Sequence, residues 1–128
     1  LLMAEDIMIP NPVKITSMRT VLQAIEIMKD HKVDSLMVTD KNNFLKGLVT
    51  LKSIQLLNRT TSIEKVMEQN VLSVSQDANL ISVLATMNEH KIGYVPVVNS
   101  HNQLIGLITR SSILSALSSQ LIDLEVAF

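Results

Sequence analysis

Apolar positions along this chain follow two periods, and the two alternate in a fixed order. Val21, Leu22, Ile25 and Met28 fall on one face of a 3.6-residue helix, which opens at the cap-type residue Thr20 and reaches His31. Leu80, Val83, Leu84 and Met87 repeat that face behind Asn79, as far as His90. The runs "SLMVTD", "FLKGLVT", "YVPVVN" and "QLIGLIT" are almost continuously apolar, as strands covered on both faces are. Turns rich in Asn, Asp, Lys and Ser separate them. Short helical turns, "AEDIM" and "TSIEKVM", stand ahead of brief strands, "VKIT" and "LSVS". In the second turn Thr61 and Glu64 have capping-box spacing. Closing helices, "LKSIQLL" and "SSILSALSS", end each half, so that both halves read β-α-β-β-α.

The two halves are one unit written twice, without a gap, at an offset of 59 residues. Met8 returns as Met67, Asn11 as Asn70, Met28 as Met87, His31 as His90, Lys32 as Lys91 and Gly47 as Gly106. "LVTLKSI" (48–54) returns as "LITRSSI" (107–113). The repeats divide as residues 1–59 and 60–119, with 120–128 as a helical extension. A unit of this size buries too little surface to be comfortable alone. Two copies packed face to face would cover what each exposes.

Composition removes several functions. With 2% aromatic residues the core has to be Leu, Ile, Val and Met, and a stacking platform for nucleic acid has no residues to be made from. A net charge of -1 and the lack of basic blocks give no attraction to nucleic acid or to anionic membranes. The absence of cysteine excludes disulfides, cysteine-ligated zinc and thiol catalysis, and fits a reducing cytoplasm. No apolar run is long enough to span a bilayer, so direct membrane insertion is not expected. No nucleophile elbow or phosphate-binding P-loop is present, and His31, His90 and His101 lack metal-ligand spacing. No catalytic residue, cofactor or metal is expected. The opening "LLMAEDIM" is not a signal peptide and reads as the edge of a piece cut from a longer chain.

The order of elements, the gapless duplication, the "YVPVV" strand at 94–98 and the "GLITRSSI" ending at 106–113 together resemble a tandem pair of CBS domains, a Bateman module. The resemblance covers residues 5 to about 117. It implies an α/β fold of two CBS repeats packed as a pseudo-two-fold pair, and a homodimer shaped as a flat disc. It also implies a regulatory, non-enzymatic sensor of adenine nucleotides, bound in clefts between repeats. The family's Thr-x-x-Asp, whose carboxylate holds the ribose hydroxyls, is here Thr50-x-x-Ser53 and Thr109-x-x-Ser112. Both copies have lost the carboxylate, which weakens the case for ordinary AMP or ATP.

The copies differ where it counts. Asp34, Ser35 and Leu51 of the first repeat are Gly93, Tyr94 and Arg110 in the second. Gly93 allows close backbone approach, Tyr94 offers a ring face to a purine, and the fork of Arg110 at a helix start matches phosphate oxygens. With Val95, Leu107, Ile108, Thr109 and Ser112 these form the expected ligand site. Read singly, Tyr94 is a packing residue and Arg110 a solvated one. Two copies of Tyr94 and Arg110 about a dimer axis would suit a two-fold dinucleotide. Cyclic di-AMP has that symmetry and no free vicinal diol. The chain further resembles the C-terminal CBS region of ATP-binding subunits from bacterial glycine betaine/carnitine ABC transporters. That resemblance implies an ATPase domain in the same chain, membrane subunits as partners and a place at the cytoplasmic face. AMP, ADP or ATP, and a ligand-free dimerisation module, stand as alternatives. Ile113, Leu114, Leu117, Leu121 and Leu124 form an apolar stripe expected to meet a second copy.

Overall fold

A computed structural model describes residues 1–127. The elements are α1(Ala4–Ile7), β1(Ile9–Pro10), β2(Lys14–Thr16), α2(Val21–His31), β3(Ser35–Thr39), β4(Leu45–Thr50), α3(Leu51–Ile54) and α4(Ile63–Val66), then β5(Val74–Ser75), α5(Leu80–His90), β6(Tyr94–Val98), β7(Leu104–Thr109) and α6(Arg110–Ala127). The β-α-β-β-α order holds in each half. The chain forms two compact units: unit I is residues 12–71 with 101–104, and unit II is 1–11, 72–100 and 105 onward. The compact units thus follow a different line from the repeat division after residue 59. Residues 1–11 belong with the second repeat's helices and strands, and residues 60–71 stay with the first's.

In unit I, β2 runs parallel to β3 and β3 antiparallel to β4. Ile15, Val21, Ala24, Met28, Leu36, Val38, Val49, Ile54 and Ile63 close its core. The helix α2 starts as its cap demands: Thr20 Oγ1 accepts from the N–H of Gln23 at 3.2 Å, and Gln23 Oε1 accepts from that of Thr20 at 3.0 Å. The box expected between Thr61 and Glu64 does not form. Helix α4 begins after Ser62, and its first N–H groups already donate to backbone, Ile63 to Arg19 O (2.8 Å) and Glu64 to Ser17 O (2.9 Å). Those orphan donors need no side chain. The closing helix is also shorter than "LKSIQLL". It stops at Ile54, where Leu57 N reaches back only three residues to Ile54 O and Arg59 Nη1 takes the Gln55 carbonyl.

In unit II the sheet order is β1-β7-β6-β5, with β1 antiparallel to β7 and β5 parallel to β6. Helix α1 is pinned by Ala4 N to Ala78 O (2.7 Å) and Glu5 N to Gln76 O (3.0 Å), and it sends Ala4 and Ile7 into the core. Helix α5 opens on Asn79, whose Oδ1 accepts from Ser82 N at 2.9 Å. Both long helices end the same way. Lys32 and Lys91 take left-handed backbone at φ 55° and 54°, and His31 and His90 donate Nδ1–H to Ile27 O and Thr86 O, one turn back.

Candidate ligand site

The expected site residues all lie in unit II. Side chains alternate across a strand. Val95, Val97 and Ile108 point into the core beneath the helices, so Tyr94, Leu107 and Thr109 take the other face of the sheet. Val95 and Ile108 are 0% exposed. They brace the site from behind and present no surface to a ligand. Tyr94 and Leu107 are half-buried, and Leu107 pairs with Ile9.

Arg110 is the first residue of α6 and is exposed. Its guanidinium lies on Gly93: a Cβ built there would sit 3.0 Å from Cζ and closer to Nη1. The end of the arginine occupies the space a side chain at residue 93 would take, next to Tyr94 in the chain. In the first repeat Asp34 and Leu51 stand at these two positions, and neither demands the other.

Arg110 also rims a groove of about 380 Å³ between the last turn of α5 and the first turn of α6. Leu84, Met87, Ile92 and Ile113 make its floor, and Asn88 and Lys91 complete the rim. Ser112 is elsewhere. It faces a larger groove, about 850 Å³, bordered by Met8, Ile9 and Pro10 on one side and Ser115, Ala116 and Ser119 on the other. Its hydroxyl is engaged: Oγ accepts from Thr109 N (2.9 Å) and donates to Thr109 O (3.0 Å), while Thr109 Oγ1 accepts from Ser112 N (3.1 Å). Ser112 is therefore a capping residue, with its one proton committed to the backbone. Thr50 and Ser53 repeat these bonds in unit I. The structure thus brings together Gly93, Tyr94 and Arg110 at the joint of β6, β7 and α6, and sets Ser112 apart.

Lys91, on the rim of the smaller groove, is not among the residues the sequence marks for a ligand. Its signal was its equivalence with Lys32, which read only as a pair of helix ends. The apolar stripe of α6 divides as well. Ile113 and Leu117 pack on the core of their own unit, whereas Leu114, Leu121 and Leu124 are 65%, 66% and 56% exposed. Among the described residues no cluster of three His, Cys, Asp or Glu could hold a metal ion, and no helix is long and apolar enough to cross a membrane.

The CBS-domain family model matches residues 4–56 and 63–119. The carnitine transport ATP-binding protein OpuCA of Listeria monocytogenes serotype 1/2a (strain 10403S) is 38% identical over 109 residues, 84% of this chain and 28% of that protein. The glycine betaine/carnitine/choline transport ATP-binding protein OpuCA of Bacillus subtilis (strain 168) is 36% identical over 110 residues, 85% of this chain and 29% of that protein. The chain therefore spans under a third of the length of these relatives. Among solved structures, CBSX2 in complex with AMP matches with a TM-score of 0.85 at 25% identity, covering 93% of this chain and 98% of that one. With two matched segments, each running from a short helix through the two-fold repeated β-α-β-β-α order, the chain belongs to the CBS-domain family and carries a tandem pair of its domains.

Proposed function

We propose that this chain is a regulatory nucleotide-sensing module whose ligand is cyclic di-AMP, bound where two copies of unit II meet. In this reading each Tyr94 stacks on one adenine and each Arg110 holds one phosphate. The observation that carries it is the guanidinium of Arg110 seated on Gly93, next in the chain to Tyr94. Ser112 supports the choice of ligand. A serine at the family's aspartate position offers no carboxylate to accept from both hydroxyls of a ribose diol, which AMP presents and cyclic di-AMP does not. The exposed apolar residues Ile81 and Leu84 on α5, and Leu114, Leu121 and Leu124 on α6, provide the surface for the second copy. Ligand binding would favour one dimer geometry, and an attached ATPase domain would read it. By likeness to the OpuCA proteins the parent is an osmolyte transporter subunit at the cytoplasmic face, with membrane subunits as partners.

The test is calorimetric titration with cyclic di-AMP, AMP and ATP. One cyclic di-AMP per two chains is expected. Tyr94→Ala removes both base stacks of the site, each worth ~1–3 kcal/mol, so affinity falls roughly thirtyfold or more. Saturation to 100 times the dissociation constant raises stability by ~2.7 kcal/mol in the wild type. One AMP or ATP per chain in place of this would move the ligand to the alternative reading. No heat with any of the three would leave a dimerisation module.

A further inference from the structure

We infer that the groove between α5 and α6 is a phosphate subsite with two cations, Arg110 and Lys91, and that Lys91 is a second anion-binding residue. The inference rests on reading Arg110 as a phosphate contact. Lys91 and Arg110 stand on the same rim, with Asn88 as a further polar group and no carboxylate in the lining. Both side chains are cationic, and an anion held between them would be attracted to each. Arg110 also opens α6, where the helix dipole disfavours a cation and favours an anion.

The backbone of Lys91 points the same way. It is left-handed at φ 54°, a conformation that glycine adopts without penalty and lysine does not. Its N–H closes the helix on Asn88 O at 3.3 Å, and Ile92 N bonds Met87 O at 3.0 Å. A basic residue complements a helix C-terminus, which accounts for Lys32 at the matching cap in unit I. At the matching positions of unit I stand Lys29, Lys32 and Leu51, where unit II has Asn88, Lys91 and Arg110. A phosphodiester or pyrophosphate group is the chemistry the rim fits, since Lys is a point charge and Arg a planar fork.

The experiment uses this chain with two probes. Inorganic pyrophosphate is titrated while amide resonances of Lys91, Ile92 and Arg110 are followed, and cyclic di-AMP is titrated by calorimetry. Lys91→Gly suits the left-handed cap and removes the charge without breaking the helix end. Lys91→Gln keeps the side-chain length. For an exposed charge-assisted contact both should weaken pyrophosphate and cyclic di-AMP binding roughly three- to tenfold, and flatten the salt dependence. Unshifted amides in the wild type, or Lys91 variants that bind pyrophosphate as the wild type does, overturn the subsite whatever cyclic di-AMP does. Pyrophosphate binding lost in the Lys91 variants, with a wild type that ignores cyclic di-AMP, keeps the subsite and sinks the ligand reading instead.

Discussion

Two glycines, Gly106 and Gly93, show how much a missing Cβ can decide, and for different reasons. Over Gly106 lies Met8, whose Cγ would be 2.7 Å from an added Cβ; over Gly47 the added Cβ would meet Met67 Sδ at 2.8 Å and Glu68 O at 2.7 Å. Strand and methionine are matched as knob and hole in both units, which explains why Met and Gly recur together at the repeat offset. Gly106→Ala forces a displacement in a packed interior and should cost ~1–3 kcal/mol in urea unfolding. Gly93→Ala meets only the end of an exposed arginine. Its stability should stay within ~0.5 kcal/mol of wild type, while cyclic di-AMP affinity falls. In an Arg110→Ala background the Gly93 change should cost no further affinity, a coupling that a double-mutant cycle reads directly. An additive cycle would mean that Gly93 acts on the ligand itself. The sequence showed both glycines. It could not show what lay on them, because Met8 and Arg110 are brought there by tertiary packing.

At the scale of elements, caps were legible and lengths less so. Thr20 and Asn79 mark helix starts because their side chains satisfy N–H groups that water would otherwise have to serve. Thr61 carried the same signal and was overruled, since carbonyls of residues 17–19 reached those N–H groups first. The closing helices diverge most, from 4 residues in α3 to 18 in α6. Among the described residues, none of α6 beyond Leu117 joins the core of unit II. A chain ending at Ser119 should therefore keep its thermal midpoint within a few degrees. If α6 serves a second copy, light scattering should show the shortened chain as a monomer at concentrations where the full chain is a dimer. Continued dimerisation would move that role to Ile81 and Leu84 on α5.

For the whole molecule, the repeat was plain in the sequence and the partition into units was not. A fixed offset reports which residues are equivalent, and is silent on which copy a short opening segment packs against. Residues 1–11 join unit II through Ile9 paired with Leu107, Ala4 and Ile7 in its core, and Met8 over Gly106. Removing 1–11 should thus lower amide protection in residues 80–98 and 105–117, and leave residues 21–50 close to wild type. Equal loss in both regions would show that the units unfold as one.

That arrangement bears on how the chain is made. Residue 11 precedes residue 72, the next part of unit II, by 61 residues. On a ribosome adding ~5–20 residues per second, that interval lasts roughly 3–12 s. Throughout it Ile7 and Met8 wait with no strand to cover them, while the chain of unit I is being made. The opening segment is then the part most open to chaperones and to mispairing with a neighbouring nascent chain, and brief proteolysis of chains stalled near residue 80 should cut there first.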